Sequence, residues 1–326
     1  DVGSPEAESK GTSCFRTTVL SFLCLINMFL FMDRGTLSTM IGDIQDYYNI
    51  NSSEAGFIGS AFMIGVMVAV GPCAYLGRIR FPLTIISAGL GVWIIAVFMT
   101  GFSFKYWTMI VSRSLTGMSE AAFMALSVPI INKIAPEGTR AKWCAAWVMM
   151  SPVGYAVGFI YGQTVEDITN SIFWPFRIES ALMTPLVLFS ILPYTRNKLR
   201  QFLATAEPRP LQSSSTQPLL PSQHDHQHHQ QQNKPPSFTK DIFQLFQNTQ
   251  YLFLILGISV FNFSLGGLSF WGNDYIEQHF SMNKEHTVII FGVLTVFCGI
   301  SGSLFGGYLQ DRVLVRGGLK DKDEIV

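Results

Sequence analysis

Residues 29–37 read FLFMDRGTL. Asp33 and Arg34 close a run, 17–32, in which Asn27 is the most polar side chain of any size. On a soluble helix such a pair is ordinary surface. Inside a membrane helix each charge costs roughly 2.5–3.5 kcal/mol near the bilayer centre. The fold therefore turns on which solvent this run meets.

Composition decides that question. The chain has 326 residues, is 48% hydrophobic with 27 Phe, and is only 13% charged. A soluble domain carries nearer ~25% charged residues. The sequence thus excludes an ordinary soluble domain and predicts an all-α polytopic membrane protein. The formal net charge is zero, so total charge identifies no partner, and no nucleic-acid partner is expected. The five cysteines, at 14, 24, 73, 144 and 298, are scattered without a CxxC pair. No structural disulfide, metal centre or cofactor is expected from them.

A membrane helix needs about 20 apolar residues. Eight runs qualify: 17–40, 55–76, 81–102, 106–134, 142–162, 173–194, 251–271 and 288–309. Their orientation follows from the basic residues. With the N-terminus in the cytoplasm, seventeen of the 22 Lys and Arg fall in inner segments. Only Lys105 and Lys284 fall outside, while Arg34, Arg113 and Arg177 lie within spans. The outer loops are acidic, with Asp43, Asp46, Glu54, Glu166, Asp167, Asp274 and Glu277. Asn51-Ser52-Ser53 is a glycosylation sequon on that side.

The predicted organisation has four parts. Residues 1–16 form a cytoplasmic tail, and 17–194 form a six-helix half. Residues 195–240 form a cytoplasmic linker, rich in Gln, His, Pro and Ser and read as disordered. Its His224, His226, His228 and His229 are read as solvated low-complexity sequence rather than a metal site. Residues 241–326 then begin a second half. A short repeat supports this plan: AYLGRIR (74–80) ends the second span and GYLQDRVLVR (307–316) ends the eighth. Six helices, a linker and a second set that begins alike is the plan of a transporter with parallel repeats. On that plan eight helices of an expected twelve are present. The shortfall raises an alternative: a truncated, non-transporting fragment that binds or regulates a full-length relative.

The fourth span reads MIVSRSLTGMSEAAF (109–123), with Arg113 and Glu120 seven residues apart and so nearly on one face. Spans one and four run in opposite directions, which brings Asp33 and Glu120 to similar depth. Intramembrane charges face a bundle interior and mark a pathway or a proton relay. Asp33 and Glu120 are the candidates for proton coupling, because carboxylates in a low-dielectric cavity favour holding protons. Arg34 and Arg113 are the candidate counter-charges or substrate contacts. Arg177 and Glu179 are read as packing charges near the outer interface. In SPVGYAVGFIYG (151–162), Gly154, Gly158 and Gly162 recur every four residues and let a second helix approach closely. Pro152 loosens one turn beside them. A gate helix and simple tight packing both fit this stripe.

An intramembrane enzyme is the competing class. Gly299-Ile300-Ser301-Gly302 has the GxSG pattern of a serine protease, but a serine nucleophile needs a base. All six histidines lie in loops or at the edge of a span. The chain is therefore read as no enzyme, with no catalytic residue.

These motifs resemble the spinster family of the major facilitator superfamily. FMDRGTL is similar to that family's first-helix M-D-R signature. SRSLTGMSEAAF resembles its R-x-L-x-G-x-G-E-A motif, with Met118-Ser119 where a variable residue and a glycine are usual. SPVGYAVGFIYG resembles its helix-five P-x-G-x-x-x-G stretch, and 265–276 and 291–309 resemble its seventh and eighth helices. The superfamily's loop motif after helix two is degraded to Leu76-Gly77-Arg78-Ile79-Arg80, without its Asp, whereas the copy after helix eight keeps Asp311-Arg312. These residues, Arg78, Arg80, Asp311 and Arg312, are the expected conformational loops. The resemblance implies proton-linked, alternating-access transport of a sphingolipid or lysophospholipid, with sphingosine 1-phosphate as a type cargo. It also implies that Asp33 and Glu120 carry the proton, and that Arg34 is a neighbour or headgroup partner. The partners it implies are a lipid substrate, protons and the bilayer.

Overall fold

A computed structural model of the chain describes residues 5–136, 139–192, 197, 199, 200, 246–280 and 284–316. Among the described residues every regular element is a helix. In chain order they are α1 (Pro5–Thr39), α2 (Ile41–Tyr48), α3 (Ser52–Ile79), α4 (Pro82–Thr100), α5 (Tyr106–Ile134), α6 (Arg140–Thr169), α7 (Trp174–Ile191), α8 (Thr249–Phe280) and α9 (Lys284–Arg316). Each of the eight apolar runs is occupied by a helix. The short α2 is an addition that span-counting does not reveal. Most of the 195–240 linker lies outside the described residues.

Local chemistry sets the ends. Asn51 caps α3: its side chain accepts from the Glu54 N–H at 2.9 Å, and the Glu54 carboxylate accepts from the Asn51 N–H at 2.9 Å. This reciprocal box satisfies two otherwise unpaired donors. Pro82 and Pro175 stand in the first turns of α4 and α7, where a missing N–H costs nothing. Asn49 and Asn170 end α2 and α6 in the left-handed region, at φ 53° and 50°. Asparagine tolerates that conformation better than most side chains.

Six helices are long and apolar enough to cross a bilayer: α1, α3, α4, α5, α6 and α8. α7 has 18 residues and two charges in its first half, and α9 is strongly apolar only over His286–Gly302. The chain divides into two compact units, residues 1–206 with 269–326, and residues 207–268. The described part of the second unit, 246–268, is mainly the apolar first two-thirds of α8.

Within the first unit, α1 packs along α6, α3 along α5, α4 against α5 and α7, and α9 against α6. Leu23, Ile26 and Leu30 of α1, Trp93 of α4, Phe123 of α5 and Phe176 of α7 are fully buried in one cluster. Met67, Val68, Ile95 and Leu188 point outward. Apolar side chains on the outside are what a hydrocarbon solvent selects. Polar links also cross between helices. Asn27 donates to the Trp147 carbonyl at 2.9 Å and to Ser151 Oγ at 3.1 Å. Ser190 Oγ donates to Ser87 Oγ at 2.9 Å, joining α7 to α4. Such bonds are worth about 1 kcal/mol inside a bilayer.

Candidate functional site: crossed ion pairs between α1 and α5

Two close helix crossings position the site. On α6, Gly154 and Gly158 lie against the Met28 and Met32 carbonyls of α1, and Gly162 lies against Thr36. A Cβ at Gly158 would stand 3.0 Å from the Gly35 Cα. The glycine stripe therefore holds α1 at backbone contact with α6, over the turn that carries Asp33 and Arg34. The second crossing joins α3 to α5, where Gly117 lies against the Phe62 backbone.

Between these crossings the four intramembrane charges meet, and they meet crosswise. Arg113 Nη1 of α5 donates to Asp33 Oδ2 of α1 at 2.7 Å. Arg34 Nη2 of α1 donates to Glu120 Oε1 of α5. Each helix contributes one cation and one anion, so the four formal charges cancel. Asp33 and Arg34 differ in height by only about 1.5 Å, whereas Arg113 and Glu120 differ by about 10 Å. The long arginine side chains bridge that difference. The two carboxylates interact electrostatically but share no hydrogen bond, each being held by the other helix's arginine.

The pairs differ in access. Asp33, Arg113 and Glu120 are each 1% exposed, while Arg34 is 13% exposed. The Arg34 guanidinium lies 4.4 Å from the Phe31 ring and 4.7 Å from the Phe62 ring. The Arg113 guanidinium lies 4.7 Å from the Phe176 ring. Aromatic faces stabilise a cation by roughly 0.5–2 kcal/mol without neutralising it.

The other candidates are placed as follows. Pro152 packs on Gly299 of α9, whose Cβ would stand 2.9 Å from the proline ring. Arg80 follows the last turn of α3 and is exposed. The side chains of Arg78, Asp311 and Arg312 lie outside the described ones. Ser301 Oγ is exposed and donates to the Phe297 carbonyl of its own helix at 2.6 Å.

Glu179 corrects the reading of α7. It is fully buried rather than interfacial, and Asp33 and Arg113 both interact with it electrostatically. Arg177 does sit near the helix start: its Nε donates to the Gly101 carbonyl at 2.7 Å, and its guanidinium lies 4.1 Å from the Phe102 ring. The signal that finds Glu179 is periodicity. Phe176, Glu179, Ser180, Met183 and Val187 fall on one helix face and all are buried.

At the end of the bundle carrying α2, Ser38 Oγ donates to the Ser269 carbonyl at 2.6 Å, and the Phe159 and Phe291 rings meet tilted, with centroids 5.4 Å apart. Asp43, Asp46, Asp274 and Glu277 line a cavity of about 240 Å³ there.

The bundle is all-helical with balanced charges in its interior, and comparison with known proteins gives its class. The profile of the Major Facilitator Superfamily matches residues 23–319, and the chain belongs to that superfamily. Within it the chain is similar to proteins of the spinster family. It is 31% identical to the "Probable sphingolipid transporter spinster homolog 1" of Arabidopsis thaliana, over 90% of this chain and 63% of that protein. It is 24% identical to the "Sphingosine-1-phosphate transporter SPNS2" of Mus musculus, over 88% of this chain and 50% of that protein. The fold matches a crystal structure of a bacterial homolog to the human lysosomal transporter spinster in an inward-facing, unoccupied conformation. That match has a TM-score of 0.62 at 17% identity and covers 93% of this chain and 64% of the other. The chain spans about 63% of the length of the first of these relatives. Relatives named as transporters agree with the reading of the chain as no enzyme.

Proposed function

We propose that the chain acts in proton-linked, alternating-access transport of a lipid with an anionic headgroup, a sphingolipid or lysophospholipid such as sphingosine 1-phosphate. The observation that carries this reading is the crossed pairing of Asp33 with Arg113 and Arg34 with Glu120 inside the bundle. A buried pair costs several kcal/mol in desolvation and is poor value as mere packing. Its use is to change partners. Arg34 is the more accessible cation, and an anionic headgroup competes with Glu120 for it through paired hydrogen bonds. Glu120 released from Arg34 is then free to take a proton. Phe31 and Phe62 flank the same guanidinium and offer apolar surface to the chain of the lipid. With the N-terminus cytoplasmic, the contacts at the α2 end lie on the outer side.

The test is flux of sphingosine 1-phosphate in proteoliposomes under an imposed pH gradient. D33N and E120Q are expected to abolish gradient-driven flux, and R34A to weaken lipid binding. Unchanged flux and pH dependence in D33N and E120Q would defeat the coupling. Flux that needs co-reconstitution with a longer relative would favour the binding-partner reading instead.

A further inference from the structure

The four paired charges cancel, and Glu179 is a fifth. It is 0% exposed, and neither Oε1 nor Oε2 has a hydrogen-bond partner. Arg113 is 1% exposed and spends only Nη1 on Asp33, leaving Nε and Nη2 without a partner. Asp33 Oδ1 is likewise unpartnered. Unused donors and unused acceptors therefore belong to one buried group of charges that act on one another electrostatically. The Phe176 ring, one turn before Glu179, faces the Arg113 guanidinium at 4.7 Å, so the Glu179 face of α7 is the face Arg113 meets. Buried polar groups are nearly always satisfied, and those left open ask for an explanation.

We propose that Glu179 is the alternative partner of Arg113, and that the guanidinium exchanges between Asp33 and Glu179 during the cycle. One proton moves the other way. While Arg113 holds Asp33, the proton resides on Glu179, because a fully buried carboxylate without a hydrogen-bond donor is costly to keep charged. When Arg113 moves to Glu179, Glu179 gives up that proton and Asp33, now without its cation, takes one. The summed charge of the three groups is the same before and after, so the exchange adds no charge to the low-dielectric interior. Glu179 is thus a positioning residue that acts through Arg113, and the proposal rests on the proton-linked reading of Asp33.

The surroundings fit a local exchange. Asp33 faces Glu179 from α1, Arg113 from α5 and Tyr161 from α6. The Tyr161 hydroxyl is committed to the Pro175 carbonyl at 2.8 Å. Tyr48 of α2 faces Arg113. Arg177, two residues from Glu179, is bonded to Gly101 and stacked on Phe102 and Trp174, which leaves Arg113 as the cation at hand.

Infrared pH titration of the purified chain in phosphatidylcholine nanodiscs tests this without any transport readout. The signal is the C=O stretch of a protonated carboxyl group, compared in wild type, E179Q, E179D and D33N. The expected result is a protonated-carboxyl band at neutral pH that is lost in E179Q and kept in E179D. D33N is also expected to lose it, because Arg113 then turns to Glu179. Persistence of the band in E179Q, or an unaltered band in D33N, overturns the proposal. Should E179Q fail to fold, labelling of wild type with carboxyl-13C glutamate decides: the band must move, and a band that stays put overturns the proposal. Bands as expected with no gradient-driven flux in wild type would count against the transport reading alone.

Discussion

Gly158 of α6 and Gly35 of α1 meet backbone to backbone, so closely that a Cβ on Gly158 would sit 3.0 Å from the Gly35 Cα. The contact lies one residue beyond Arg34, so it fixes the height and rotation of the charged turn. Overpacking costs about 1–3 kcal/mol where side chains can yield, and here the obstacle is main chain. G158A is expected to lower the unfolding midpoint in mild detergent and to weaken the Arg34–Glu120 pairing. G71A is the control, since nothing lies within 4 Å of its added Cβ. It removes a helical glycine, worth up to about 1 kcal/mol. Equal midpoints for the two variants would refute the close crossing.

Asn51 has two readings, sequon and helix cap, and substitutions separate them. N51D keeps the acceptor that receives the Glu54 N–H and abolishes the sequon, whereas N51A abolishes both. Loss of a cap costs about 0.5–2 kcal/mol. N51A is expected to be less stable than N51D by about 1 kcal/mol in protein made without glycosylation. If N51D falls as far as N51A, the cap is not what stabilises this end of α3.

The eight long helices were legible because a 20-residue apolar run has few other fates, and the four charges because they are rare in such runs. Their crossed partnership was not. It depends on how near the glycines let the helices come, and on arginine side chains reaching about two turns along α5. Glu179 was obscured by Arg177, whose proximity in sequence suggests an interfacial pair. The two side chains stand on different faces of α7: Glu179 is buried where Asp33 and Arg113 act on it electrostatically, and Arg177 is bonded to Gly101. α2 was hidden for another reason: IGDIQDYY is eight residues with two aspartates, too short and polar to register as a span.

Tyr48 ends α2 and donates its hydroxyl to the Ser103 carbonyl. Burial, and then the adjacent Tyr47, push its phenol well above the usual tyrosine range, with Arg113 pulling weakly the other way. A raised folded value means that the folded state holds this proton longer than the unfolded one. The stabilisation is therefore complete below the unfolded tyrosine value of about 10 and is lost as pH rises beyond it. Wild type should lose stability above about pH 10, and Y48F should show a shallower alkaline slope. At neutral pH Y48F should be weaker by about 1 kcal/mol, having left the Ser103 carbonyl unpaired. A single alkaline profile for both proteins would contradict the buried hydroxyl.

The Asp33–Arg113 pair makes an asymmetric prediction. Removing one member of a buried pair strands the other, at about 3–5 kcal/mol. The two members are not equally stranded here. R113Q leaves Asp33 and Glu179 together without a cation, whereas D33N leaves Arg113 with Glu179 still beside it. D33N is therefore expected to be the milder change in denaturant unfolding. The D33N/R113Q double variant should cost less than the two single costs combined, as contacting residues couple by about 0.5–3 kcal/mol. In an E179Q background the alternative partner is gone, so D33N should become as costly as R113Q. Equal costs in the wild-type background would mean that Arg113 has no second carboxylate within reach. An asymmetry that survives E179Q would mean that the relief comes from another group.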